Sequence, residues 1–183
     1  MHPYATDSNE RKNVIFILAV LSIGFGYLLH LFINLINFPW PWWLESPSFI
    51  GIFGLCYEIF DRRLWRVKWI RKLGVVKIPD LNGRWKAEGR SIKRDENYSA
   101  EVKIKQTWTK MSIVMNTQFS SSYSITATVL VHQPGRFMLS YEYVNQPKAN
   151  ALPTMHSHRG TTILRIRNEN LLEAEYYLSL IHI

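Results

Sequence analysis

The stretch SAEVKIKQTW, Ser99 to Trp108, decides the fold. Ala100, Val102, Ile104, Gln106 and Trp108 alternate with Glu101, Lys103, Lys105 and Thr107. Successive side chains of an extended strand point to opposite faces, so this spacing divides the segment into an apolar side and a charged side. A helical winding would scatter the same lysines around the axis. The segment therefore reads as a half-buried β-strand. One member breaks the apolar row: Gln106, an amide among hydrocarbon and aromatic side chains.

The same period continues on both sides. LNGRWKAEG, residues 81–89, sets Leu81, Gly83, Trp85, Ala87 and Gly89 against Asn82, Arg84, Lys86 and Glu88. Met111, Ile113 and Met115 mark a third strand, and Tyr123, Ile125, Ala127, Val129 and Val131 a fourth. Phe137, Leu139, Tyr141, Tyr143 and Asn145 form a fifth, across a turn at Gln133-Pro134-Gly135. GTTILRI, 160–166, turns Thr162, Leu164 and Ile166 inward. LLEAEYYL, 171–178, does so with Leu172, Ala174 and Tyr176 after a turn at Asn168 to Asn170.

Seven strands with short connections predict an all-β domain over 81–177, built as a small antiparallel up-and-down β-barrel. Closure at roughly eight strands removes exposed edges and leaves room for one small ligand. An open sandwich is the alternative. The count is one strand short, so an eighth is expected to have been lost at the C-terminus. The last six residues, LSLIHI, 178–183, obey no strand or turn logic and coincide with the translated end of a common sequencing-library transposon; they are expected to be a foreign tail.

Upstream the composition changes. No Lys, Arg or Asp occurs between Asn13 and Phe60. Asn13 to Phe38 exceeds the ~20 apolar residues that a helix needs to cross a bilayer, and it ends at Asn37, Phe38 and Pro39 rather than at a small-residue cleavage site, which argues against a signal peptide. The shorter run Ser48 to Phe60 follows LINFPWPWWLESPSF, Leu35 to Phe49. Tryptophan prefers the lipid–water interface and proline stops a helix, so this stretch reads as the tip of a two-helix transmembrane hairpin over 13–66. A single span followed by a buried or re-entrant segment is the alternative. Arg11 and Lys12 before the first span, and the basic run from Arg62 after the second, place residues 1–12 and the connector 67–80 on the cytoplasmic side. Glu58 precedes Arg62 by four residues, which predicts an interfacial ion pair. Gly24, Gly26, Gly51 and Gly54 allow close helix packing. The cations and apolar residues of RRLWRVKWIRKLG suit a helix lying on an anionic leaflet.

The single Cys56 excludes an intrachain disulfide. No nucleophile–base pair, carboxylate pair or phosphate loop is evident, and His156 and His158 have no third metal ligand at a suitable spacing, so neither an enzyme nor a metal site is expected. Inward amides and aromatics beside arginines suit instead a planar anionic ligand. Trp108, Tyr141 and Tyr143 are candidates to stack on bases, Gln106 and Asn145 to read their edges, and Arg90 and Arg165 to meet phosphates. Arg165 lies on the face opposite Leu164 and Ile166, so it would reach such a ligand only through a bend.

The order of parts adds a resemblance. A two-helix hairpin, a basic connector, Gly83-Arg84-Trp85, and then IKQTWTKMSI (104–113), SSSYSITA (120–127), LSYEYVNQP (139–147) and HSHRGTTIL (156–164) resemble the two-transmembrane, β-strand-rich effectors of bacterial cyclic-oligonucleotide antiphage signalling, CBASS. The resemblance implies a cytoplasmic β-barrel that binds a cyclic dinucleotide made by a partner nucleotidyltransferase. It implies no further cofactor and no DNA or RNA polymer as partner. Binding would drive homo-oligomerisation of the membrane segments and disruption of the bacterial inner membrane, with both termini cytoplasmic. The similar segments hold Ile104, Gln106, Trp108, Ser120 to Ser124, Tyr141, Tyr143, Asn145, Pro147, His158 and Gly160. The family's barrel has a further strand where this sequence departs from the pattern at Leu178. A membrane-tethered barrel carrying a lipid or other apolar ligand, and a scaffold that binds only protein, are the alternatives from other classes.

Overall fold

The computed structural model describes residues 1–36, 45–91, 96–132, 137–151, 154–168 and 171–179. They divide into two units, Asn9–Lys77 and a second made of Met1–Ser8 with Ile78–Ile183. The expected tip residues 37–44, the turn at 133–135 and the turn residues 169–170 lie outside the described residues.

In the helical unit, α1 spans Glu10–Leu35 and α2 spans Glu45–Arg62. The 26 residues of α1 give ~39 Å at the α-helical rise, more than the hydrocarbon thickness of a bilayer. Phe16, Ile23, Phe25, Tyr27, Leu28 and Phe32 are exposed along it, an arrangement that water would penalise and lipid would not. Among the described residues α1 is the one helix long and apolar enough to cross a membrane. The Ser22 hydroxyl donates to the Leu18 carbonyl at 2.6 Å, which satisfies it within the helix. α1 packs on α2, and a Cβ placed on Gly26 would fall 2.1 Å from Cε1 of Phe49. Gly24, Gly51 and Gly54 have nothing that close: their Cβ positions are open. The Glu58–Arg62 ion pair forms at 2.5 Å on an exposed face. A 3₁₀ turn, Leu64–Arg66, leads to the short helix α3, Lys68–Lys72, whose Trp69 and following Leu73 are exposed. Gly74 ends it with φ 72°, the left-handed conformation that glycine adopts without a Cβ clash.

The second unit is a sheet. Two short strands, β1 (His2–Pro3) and β2 (Ala5–Thr6), precede the seven long ones. These are β3 (Gly83–Ser91), β4 (Glu96–Gln106), β5 (Lys110–Asn116), β6 (Ser120–Leu130), β7 (Phe137–Pro147), β8 (His158–Asn168) and β9 (Leu171–Ser179). Each is antiparallel to the next in chain order from β3 to β9. Threonines make the tightest connections: Thr107 Oγ1 accepts the Lys110 N–H at 3.0 Å, and Thr117 Oγ1 accepts the Ser120 N–H at 3.0 Å. Ile104, Trp108, Met111, Ile113, Val129 and Leu139 fill the core.

The structure corrects the sequence reading in two places. First, the sheet is not closed into a barrel. Among the described residues no ladder joins β3 to β9, so each end strand is hydrogen-bonded on one side alone; closure requires those edges to meet at the ~4.8 Å strand spacing. Pairing also runs past Tyr177, since Leu178 faces Gly160 and Ser179 faces Arg159. Second, the fourth strand does not keep one face. The β6–β7 register jumps between Ser124 and Thr126, leaving Ile125 as an extra residue. An inserted residue reverses the side on which every later residue points. Ser120 and Ser122 are buried before this bulge and Ala127 and Val129 after it, while Tyr123 is 42% and Ile125 37% exposed. Residues 1–12, which the sequence reading left without structure of their own, contribute His2–Pro3 and Ala5–Thr6 to the sheet and open α1 at Glu10.

Candidate ligand site

On β7 the inward row Leu139, Tyr141, Tyr143 and Asn145 is uninterrupted and buried. The flanking strands put mostly small groups, and one imidazole, beside it. On β6, Ser122 faces Asn145, Ser124 faces Tyr143 and Ala127 faces Tyr141; on β8 the partners are His158, Gly160 and Thr162. The Tyr141 and Tyr143 ring centroids lie 6.3 Å apart, inclined at 56°, and the His158 ring stands edge-on to Tyr143 at 6.3 Å. The Ser157 hydroxyl donates to the Asn145 carbonyl at 2.9 Å and holds the β8 entry against β7.

Three polar side chains on this face are nearly covered: Ser122 at 4%, Asn145 at 6% and Thr162 at 7% exposure. Among the described residues none of their side-chain polar groups has a protein hydrogen-bond partner. Their hydroxyl and amide atoms are not sealed off from solvent, so they stay open to a polar ligand.

The other sequence-derived candidates lie elsewhere. Gln106, 1% exposed, has its carboxamide committed. Its Oε1 accepts the Leu81 N–H at 2.9 Å, and its Nε2 donates to the Pro79 carbonyl at 3.2 Å and the Tyr4 hydroxyl at 3.4 Å. Trp108 is fully buried, and its carbonyl accepts the Tyr4 hydroxyl at 2.7 Å. Arg165 pairs with Glu175 of the neighbouring strand, in contact with both carboxylate oxygens, one of them at 3.3 Å. Arg90 faces Asn97 in the β3–β4 ladder, and its side chain lies outside the described residues. The structure thus brings Tyr141, Tyr143 and Asn145 together and leaves Gln106 and Trp108 at a separate junction. Ser122 and Thr162 join the first group. Thr162 was legible as inward, whereas Ser122 required knowledge of the bulge.

A separate groove of about 690 Å³ runs beside β3, lined by Arg84, Trp85, Lys86, Ala87, Ser99 and Asn116 among others. It does not include the tyrosine face. Its Arg84 is paired with Glu101 at 3.5 Å. Among the described residues no group of three or more His, Cys, Asp or Glu side chains could hold a metal ion.

A helix long and apolar enough to cross a membrane, followed in the chain by an antiparallel sheet domain, is the organisation of a membrane-associated protein. Comparison with known families agrees. The family described as "Cap15, TM helices" matches residues 12–66, and the one described as "Cap15, cyclic dinucleotide receptor domain" matches residues 76–180. The chain is similar to "CD-NTase-associated protein 15" of Staphylococcus schleiferi, 31% identical over 137 residues that cover 74% of this chain and 73% of the relative. It is 36% identical over 99 residues to the protein of the same name from Yersinia aleksiciae, covering 54% of this chain but only 47% of that relative. No solved structure matches. The chain belongs to the Cap15 family, CBASS-associated proteins with a cyclic dinucleotide receptor domain and transmembrane helices.

Proposed function

We propose that this chain is a ligand-gated antiphage effector whose sheet domain binds a cyclic dinucleotide on the Tyr141–Tyr143–Asn145 face. The observation that carries the reading is the set of polar groups at Ser122, Asn145 and Thr162 that no described protein group bonds, beside two tyrosine rings, in the domain matched by the receptor family. The rings offer stacking surface to bases, and the amide and hydroxyls offer donors and acceptors to base edges. Arg90 and Lys86 are the β3 cations assigned to phosphates in this reading, whereas Arg84 and Arg165 each have a carboxylate partner, Glu101 and Glu175.

In this reading α1 and α2 form a two-helix membrane hairpin, with the sheet and both termini on the cytoplasmic side of the bacterial inner membrane. The positive residues around Lys12 and from Arg62 onward support that orientation. A partner nucleotidyltransferase supplies the ligand in this reading; the relatives are named as CD-NTase-associated proteins. The ligand drives self-association of the helices and breaches the membrane; it does so by binding the assembled state more tightly than the resting one.

Titration calorimetry of the full-length chain in detergent against cyclic di-AMP, cyclic di-GMP and cyclic UMP–AMP tests the reading. Saturable binding of at least one, lost in Tyr143→Ala, supports it. No binding across the set, or lipid co-purified on the tyrosine face, overturns it.

A further inference from the structure

The first seven residues are built into the receptor sheet. β5 and β6 pair only at Val114–Asn116 with Ser121–Tyr123 and then part. The N-terminal segment occupies the split: His2 and Pro3 pair antiparallel with Met111 and Lys110 of β5, while Ala5 and Thr6 pair parallel with Thr128 and Val129 of β6. Four side chains fasten it. Tyr4 is buried, with its hydroxyl between the Trp108 carbonyl and the Gln106 amide. His2 Nε2 lies 2.7 Å from Ser124 Oγ. Asp7 accepts the N–H groups of Val131 and His132 at 2.8 and 3.1 Å. Gln106 ties this segment to the returning chain by holding Pro79 and Leu81 as well.

Two features give this placement a consequence. Ser124, which meets His2 and also accepts the Ile113 N–H at 3.0 Å, is the cross-strand partner of Tyr143 on the candidate ligand face. At its other end the segment runs into α1 after only Asp7, Ser8 and Asn9. Each pairing is two residues long, the shortest ladders of the sheet, and short ladders open locally more readily than long ones.

We propose that His2–Asp7 is a transmission strand, which passes a ligand-induced change at β6–β7 to the membrane helix α1. The proposal rests on the reading of the tyrosine face as the ligand site. Linkage requires that ligand binding and helix assembly alter each other by the same factor, and undocking the strand removes that coupling while leaving the ligand face intact.

The test uses the full-length chain reconstituted in phosphatidylethanolamine–phosphatidylglycerol vesicles. Ligand affinity and dye release are measured with the three cyclic dinucleotides named above. Tyr4→Phe/Asp7→Asn weakens two of the four fastenings, the Tyr4 hydroxyl and the Asp7 carboxylate, and keeps the buried ring. It is expected to bind within about threefold of wild type but to need about tenfold or more ligand for the same release. Deletion of residues 2–6 is expected to abolish release.

Restapling supplies the rescue. Pro3 and Lys110 face each other on antiparallel strands, a spacing within disulfide range. Adding Pro3→Cys/Lys110→Cys to the weakened variant, with Cys56→Ser, is expected to restore release when oxidised and lose it on reduction. A strand variant that binds and releases as wild type does, or an oxidised staple that restores nothing, overturns this proposal alone. Absence of binding in wild type overturns the ligand-site reading and this proposal with it.

Discussion

Ser122 and Asn145 face each other across the β6–β7 ladder, both more than nine-tenths buried, and among the described residues neither side chain has a protein partner for its polar group. Their polar atoms are not sealed off, so water completes the hydrogen bonds in the free protein and a polar ligand can replace it. Asn145→Ala therefore removes a group that the protein itself does not use. Ligand affinity is expected to fall about tenfold to a hundredfold, the loss of one or two buried hydrogen bonds, with little change in melting temperature. Calorimetry and differential scanning fluorimetry on one preparation check both halves. A large stability loss with unchanged affinity would show Asn145 to be structural.

Gln106→Ala is expected to do the reverse. It strands the Leu81 N–H and the Pro79 carbonyl and removes a contact to Tyr4. Buried groups left unsatisfied cost about 1–3 kcal/mol each. Denaturant unfolding is expected to show a loss of about 2–4 kcal/mol, with affinity of the remaining folded protein close to wild type.

In the helical unit, Gly26→Ala would place a methyl group 2.1 Å from the Phe49 ring. The α1–α2 pair then has to separate or Phe49 has to swing away, at a cost of about 1–3 kcal/mol for overpacking. Phe49→Ala added to Gly26→Ala is expected to recover part of the loss, whereas Gly24→Ala, with open space around it, is expected to be neutral. Thermal unfolding in detergent, followed by helical circular dichroism, distinguishes the three.

The Asp7 tether is expected to be acid-sensitive. Burial alone would raise its carboxyl pKa, but the Val131 and His132 N–H groups and the charge of a protonated His132 together outweigh burial and hold it below the ordinary carboxylate value. A folded-state pKa below the unfolded one means the tether contributes stability above the unfolded value of about 3.9 and loses it as pH falls through the lower, folded value. Hydrogen exchange of the peptide covering Val131 and His132 should accelerate, after correction for intrinsic rates, only below about pH 4. In Asp7→Asn it should be faster at neutral pH and show no further acid step.

The sheet's legibility varied with the distance over which its determinants act. Alternation along β4, β7 and β8 placed Ile104, Tyr141, Tyr143, Asn145 and Thr162 inward, because a regular strand presents the same face throughout. On β6 the same rule put Tyr123 and Ile125 inside, and they are exposed, since the bulge at Ile125 depends on how β6 meets β7 and leaves no mark on the local pattern. Gln106 was visible as the odd amide in its row. Its partners Tyr4, Pro79 and Leu81 were not, being separated from it by as many as 102 positions.

The amino-acid order alone determined the apolar membrane helix, the period-two strands and the family to which they belong, for these rest on solvent preference and spacing along one short segment. Tertiary structure decided the open sheet, the face on which the β6 serines stand, the committed state of Gln106 and the insertion of His2–Thr6 between β5 and β6. Each of those depends on backbone hydrogen bonds or side-chain contacts between residues remote in the chain, and a ladder of two residues is too short to announce itself by periodicity.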